Sequence, residues 1–133
     1  MLKTMATIFG IVFLVVGILG FVPGVTSDGH LLGIFHVNTA HNIVHILSGI
    51  AALIAGATSI RASQVYFQVF GVIYGIVALL GFVTGGDQPL MGIIANNAAD
   101  NWLHVGIAVV SLALGFAPQI TAVRHTAAVG SDE

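Results

Sequence analysis

The side chains in this sequence that could perform chemistry are concentrated in two short, similar motifs. The first spans residues 38–45 and the second residues 97–104, and both follow the pattern Asn-x-x-x-Asn-x-x-His. The third residue after the first Asn differs between the motifs: it is His41 in the first and Asp100 in the second. Residues four apart lie on one face of a helix, so His41 pairs with His45 and Asp100 pairs with His104.

A metal site is the first hypothesis for these two motifs. If both helix faces point toward a common axis, three imidazoles and one carboxylate meet there. Such a set suits zinc, copper, nickel or ferrous iron. Asn42 and Asn101 would then orient the rings through hydrogen bonds. The predicted ligands are His41, His45, Asp100 and His104.

Two further chemical interpretations remain open. One His from each of two facing helices could supply the axial ligands of a b-type haem, and those residues would be His45 and His104. Alternatively, the His and Asp side chains could form a chain for proton transfer inside the membrane. The cofactor is therefore left unknown, with a transition metal ion and haem b as the candidates.

A purely structural interpretation also accounts for both motifs. Asn38 and Asn97 are good helix N-caps. Asp100 then occupies the third helical position, where the helix dipole favours a carboxylate. The remaining amides and imidazoles could hydrogen-bond between helices and fix their register. The predicted structural network comprises Asn38, Asn42, Asn97 and Asn101.

The composition of the chain indicates a membrane protein, whose surface is mostly in contact with lipid. The chain has 133 residues, of which 57% are hydrophobic and 6% charged, whereas soluble domains carry about 25% charged residues. It contains no cysteine, which excludes disulfides and thiolate metal ligands. The net charge of -2 and the absence of a basic run predict that nucleic acid is not a partner.

Four apolar stretches are long enough to cross a bilayer, which takes about 20 residues in a helix. They cover approximately residues 4–22, 38–60, 64–83 and 97–117. The first is longer than the roughly 7–15 apolar residues of a signal peptide, which favours a span over a cleaved leader. The segments 31–35 and 90–94 are also apolar. We expect them at the outer interface, covering the polar motifs, with a tilted helix extension as the alternative.

The spans form two similar helical hairpins in tandem. Phe9-Gly10-Ile11-Val12-Phe13 matches Phe70-Gly71-Val72-Ile73-Tyr74, and the two polar motifs occupy equivalent positions later in each unit. Matched Asn and His residues are not explained by apolar composition alone. The units, at about residues 4–60 and 64–118, would enter the membrane in the same direction and share an axis along its normal.

The distribution of cations predicts the orientation in the membrane. Lys3, Arg61 and Arg124 are the only Lys and Arg residues, and an even number of spans places all three on one side. Cytoplasmic loops carry the excess of Lys and Arg. We therefore expect both termini in the cytoplasm, with residues 1–118 as one transmembrane domain and residues 119–133 as a short polar cytoplasmic tail.

The two polar motifs are similar to those of a known family. Val37-Asn38-Thr39-Ala40-His41-Asn42-Ile43-Val44-His45 and Asn97-Ala98-Ala99-Asp100-Asn101-Trp102-Leu103-His104 resemble the bacterial membrane proteins grouped as domain-of-unknown-function family 4383. The resemblance covers nearly the whole chain except the tail. It implies four spans and a bacterial cytoplasmic membrane, and it implies no activity, cofactor or substrate.

These observations predict an all-α, four-helix transmembrane bundle. We expect a non-enzymatic structural or partner-binding module, because the sequence contains no recognisable nucleophile–base pair or phosphate-binding loop. Its expected partners are the lipid bilayer and, through glycine-lined helix faces, further copies of itself or other membrane proteins. The alternative is a metal- or b-haem-binding membrane protein that uses the His/Asp cluster.

Overall fold

Four long helices make up most of the structure, a computed structural model that describes residues 1–118. They are α1 (Leu2–Leu19), α2 (Thr39–Thr58), α3 (Ile60–Val83) and α4 (Ala98–Phe116). All four are long and apolar enough to cross a membrane. The prediction of an all-α transmembrane protein with four spans is confirmed. The predicted tail at residues 119–133 lies outside the described residues.

The helices pack as two antiparallel hairpins, α1 with α2 and α3 with α4, as predicted. Glycines at equivalent positions let the backbones within each hairpin approach closely. A Cβ atom on Gly10 would lie 2.6 Å from Leu53 Cγ, and one on Gly71 would lie 2.8 Å from Leu112 Cγ. The internal repeat therefore appears as the same packing contact made twice.

Aromatic side chains join the two hairpins at the centre of the bundle. The ring of Phe13 on α1 meets Phe70 on α3 edge to face, with centroids 5.2 Å apart. Phe9 meets Phe67 in the same manner at 5.1 Å. Edge-to-face pairs at these distances add to the stability gained from burying the rings. This aromatic layer lies next to the polar residues of α2 and α4, where Phe13 contacts His45.

The third helix begins earlier than the sequence predicted. It starts at Ile60 rather than near residue 64, because the Ser59 side chain accepts a hydrogen bond from Ala62 N at 3.0 Å and caps the helix. Ser59 also ends α2. The turn between the hairpins is thus a single residue, and Arg61 lies in the first turn of α3.

We call the end of the bundle where α2 and α4 begin the outer end, after its predicted side. Two loops cover it. The first contains three short antiparallel strands: β1 (Thr26–Ser27), β2 (His30–Leu31) and β3 (Phe35–His36). The second contains an antiparallel bridge between Leu90 and Ile94.

Both outer loops turn in the same way at equivalent positions. Leu32 and Gly33 have φ values of 53° and 69°, and Met91 and Gly92 have values of 52° and 71°. Positive φ is incompatible with an α-helix of L-residues. The apolar segments 31–35 and 90–94 are therefore turns over the outer end, as expected, and the alternative of longer helices is wrong.

Candidate functional site

Three histidines converge beneath the outer loops. His41 and His45 come from α2 and His104 from α4, and one ligating atom from each lies within 4.8 Å of the others. The three residues are only 4–6% exposed. We call these residues the histidine cluster. They are at the outer ends of both helices because the two hairpins run in the same direction, which places the two motifs at one level.

The ring of His41 is held in place by backbone carbonyls. Its Nδ1 donates a hydrogen bond to the carbonyl of Ala95 at 2.8 Å and also lies 3.1 Å from that of His36. Because Nδ1 carries the hydrogen, the Nε2 of the neutral ring presents a lone pair. That atom lies 3.0 Å from His45 Nε2. The tautomer of His41 is therefore fixed by segments outside its own helix.

Aromatic rings pack against the other two imidazoles. Phe13 stacks on His45, with centroids 5.0 Å apart and planes 18° apart. Tyr74 meets His104 edge to face at 5.3 Å. The Nδ1 atoms of both histidines are buried and have no hydrogen-bond partner within residues 1–118. Buried polar atoms without partners are rare and destabilising, so these two rings require an explanation.

Asp100, the fourth predicted ligand, is used differently. Its Oδ2 accepts hydrogen bonds from Asn97 N at 3.0 Å and His36 N at 3.1 Å. The first bond completes a capping box at the start of α4. The second ties α4 to strand β3 of the other repeat. The structure brings three of the four predicted ligands together, while Asp100 lies outside the histidine cluster and joins the loop to the helix.

The asparagines that begin α2 and α4 make reciprocal bonds between the repeats. Asn38 Nδ2 donates to the carbonyl of Ile93, and Asn97 Nδ2 donates to the carbonyl of Ile34, each at 2.8 Å. The Oδ1 of each asparagine also caps its own helix. Each side chain thus caps the start of its own helix and also binds the outer loop of the other repeat. These bonds hold both loops over the histidine cluster.

The second pair of asparagines packs against glycines of the neighbouring helix in each hairpin. The side chain of Asn42 packs onto Gly20, and that of Asn101 packs onto Gly81, so closely that a Cβ on either glycine would collide with it. Asn101 also donates to the carbonyl of Gly86 at 3.4 Å. Within residues 1–118 neither amide hydrogen-bonds to a ring of the histidine cluster, which the expected orienting role would require. Instead they join the outer ends of the two helices within each hairpin.

Sequence reasoning missed two groups that shape the site. The carbonyls of His36 and Ala95 hold His41, but a backbone acceptor leaves no trace in residue types. Asn96, which precedes the second motif, is fully buried and donates to the carbonyl of Gly86 at 3.1 Å. Its equivalent in the first repeat is Val37, so this bond has no counterpart there.

Two further histidines lie among the described residues 1–118, His30 and His36, and neither is part of the cluster. His30 stacks on His36 in the first outer loop, with centroids 5.0 Å apart. His125 lies outside the described residues. The metal hypothesis therefore depends on His41, His45 and His104 alone.

Comparison with known proteins supplies a family but no activity. A family model described as a domain of unknown function (DUF4383) matches residues 3–117. No curated protein and no solved structure matches the chain.

Proposed function

The chain belongs to the family of the domain of unknown function DUF4383, and we propose that it is a non-enzymatic membrane protein that binds one transition metal ion. The ligands are His41, His45 and His104. The observation that carries the proposal is the convergence of three buried imidazoles whose ligating atoms lie within 4.8 Å of one another. The proposed location is the bacterial cytoplasmic membrane, with both termini in the cytoplasm.

The chemistry of the donor set supports this proposal. Neutral imidazoles bind zinc, copper, nickel and ferrous iron well. Metal-bound histidines almost always donate their other ring N–H to a carbonyl, a carboxylate or water. His41 has this arrangement, because its Nδ1 bonds to the Ala95 carbonyl and its Nε2 faces the Nε2 of His45 with a lone pair. An ion shared with His41 and His45 would also give the ring of His104 a polar partner.

The size of the adjoining space favours an ion over haem b. The cavity beside the histidine cluster measures about 150 Å³, whereas sites for larger ligands measure roughly 300–1,000 Å³. A porphyrin would also have to separate His45 from His104, and both rings already approach His41. The donor geometry is therefore better suited to a bare ion than to a macrocycle.

A structural role is the second candidate, and the reciprocal bonds of Asn38 and Asn97 favour it. In that case the 3.0 Å contact between His41 Nε2 and His45 Nε2 is a hydrogen bond between neutral rings. The partner-binding version of this role has less support. The glycines that could meet other helices, such as Gly10, Gly56 and Gly71, already face their own hairpins.

Metal analysis of the purified protein tests the proposal. The full chain would be incubated with zinc or copper in detergent, dialysed, and compared with a variant carrying His45→Ala and His104→Ala. The expected result is about one ion per chain in the wild type and a loss of at least ten-fold in affinity in the variant. His30→Ala, outside the histidine cluster, is the matched control and should retain the ion. Equal metal content in the wild type and the double variant would refute the proposal.

A further inference from the structure

A cavity of about 150 Å³ adjoins the histidine cluster between α2, α3 and the second outer loop. All three histidines line it. The opposite wall is apolar and includes Val44, Ile73, Val77, Leu80, Leu90 and Ile94. An ion held by the three imidazoles would therefore lie directly beside an apolar space. Such a space is unusual in a helical bundle, because protein cores are normally filled to the density of organic crystals.

One side of the cavity opens between apolar side chains of the proposed spans, which face lipid. Three residues in its wall, Val44, Ile73 and Leu80, are 38–50% exposed on the sides of the spanning helices. On the outer side, the second loop lies over the cavity with two apolar residues, Leu90, which is only 4% exposed, and Met91, which is 74% exposed. A molecule that reaches the cavity by this route must therefore be soluble in hydrocarbon.

Three protein ligands leave a metal ion with an open coordination position. Sites of this kind keep the fourth position for water or a substrate. Apart from the three histidines, Ser48 and Tyr74, the side chains that line the adjoining space are apolar. This lining disfavours water, because apolar cavities of about 150 Å³ stay dry and take up apolar molecules such as xenon instead. The apolar lining also disfavours anions, because a buried charge without polar partners is strongly destabilised.

We propose that the open position takes a small, neutral diatomic molecule, of the class of dioxygen, carbon monoxide and nitric oxide, which enters from the membrane through this cavity. The inference rests on the proposed metal site and adds the ligand of the bound ion. It also narrows the metal to copper or iron in the reduced state, since these bind diatomic ligands and zinc does not.

Carbon monoxide is a direct probe of this position. The full chain would be loaded with Cu(I) in lipid nanodiscs, its copper content measured, and the sample exposed to carbon monoxide. The expected result is an infrared C–O stretching band of a Cu(I) carbonyl, at one carbonyl per bound copper. Bound copper without a carbonyl band would overturn this inference and leave the metal site standing. Absence of bound copper would overturn both.

Variants of the cavity wall distinguish a specific route from simple exposure of the metal. Val77→Phe would fill the cavity and should weaken carbon monoxide binding at least ten-fold at unchanged copper content. Leu79→Phe, which is 62% exposed on the same helix, is the control and should bind as the wild type does. Val77→Ala introduces no steric clash and should speed carbon monoxide association several-fold. Unchanged carbon monoxide binding in both Val77 variants would overturn the inference.

Discussion

The Nε2 atoms of His41 and His45 lie 3.0 Å apart, one helical turn from each other on α2. Two nitrogens that share a tetrahedral ion at about 2.0–2.1 Å each would be roughly 3.3–3.4 Å apart. The separation of this pair is thus only a few tenths of an ångström shorter than an ion requires, and the three ligating atoms of the cluster lie within 4.8 Å of one another. Because His41 Nδ1 is bonded to a carbonyl, its Nε2 is available either to this ion or to a proton from His45.

Replacing Asp100 should separate its capping role from the ligand role that the sequence predicted. Asp100→Asn retains an acceptor for the N–H groups of Asn97 and His36, so we expect a small loss of stability and an unchanged metal content. Asp100→Ala removes both bonds and should cost about 1–3 kcal/mol of unfolding free energy. Metal content and thermal unfolding in detergent would be measured on the same samples. If Asp100→Asn alone released the ion, the carboxylate would be a ligand after all.

The reciprocal asparagine bonds predict a graded response to substitution. Asn38→Ser retains the N-cap oxygen but cannot reach the carbonyl of Ile93, so it should cost about 0.5–1.5 kcal/mol. Asn38→Ala loses both interactions and should cost about 1–3 kcal/mol. Substitutions at Asn97 should give the same order, because its bond to Ile34 is equivalent. Equal stability of the Ser and Ala variants, measured by thermal unfolding, would contradict the role of the bonds between repeats.

The contact between Gly20 and Asn42 predicts a coupled pair. Gly20→Ala places a methyl group against the amide and should cost about 1–3 kcal/mol, as overpacking does. The double variant with Asn42→Ala should be less destabilised than the sum of the two single variants, because it restores the space. Gly106→Ala is the control, since nothing lies within 4 Å of that position. Simple additivity of the two single effects would argue against the contact.

Haem binding offers a test between the two cofactors considered. Because the cavity of about 150 Å³ is small, added haem should produce no Soret band characteristic of two axial histidines. Absorption spectroscopy of the purified protein with and without haem measures this directly. A Soret band that disappears when both His45 and His104 are replaced by Ala would establish the haem alternative instead.

The orientation in the membrane can be tested with single cysteines, because the chain has none of its own. Ser27→Cys lies in the first outer loop and Thr58→Cys at the opposite end of α2, and both positions are exposed. In intact cells a membrane-impermeant maleimide should label the first variant only. After permeabilisation it should label both. Labelling of Thr58→Cys alone in intact cells would invert the predicted orientation.

Much of the architecture could be predicted because it depends on features that sequence displays directly. The four spans follow from the length of apolar runs, and the tandem hairpins follow from matched residues such as Asn38 and Asn97. The convergence of His45 and His104 followed from the repeat together with the assumption that both faces point inward. These are consequences of helix periodicity and of the absence of water in the bilayer core.

The finer parts of the site could not be predicted, since they depend on distances between segments far apart in the chain. The spacing of four residues predicted that Asp100 and His104 share a helix face. It could not show that the carboxylate of Asp100 accepts a hydrogen bond from the backbone N–H of His36. The acceptors of His41 are carbonyls, which every residue carries. Strands of two residues, such as β2 and β3, are too short to produce a periodic pattern.

The most direct test of the proposed function is X-ray absorption spectroscopy of the purified protein loaded with zinc. If the three histidines form the site, the spectrum should show one ion per chain with three imidazole nitrogens at about 2.0–2.1 Å, and this signature should be absent from the His45→Ala, His104→Ala double variant. Zinc surrounded only by oxygen, or the same spectrum in the variant, would contradict the assignment of the histidine cluster as a metal site.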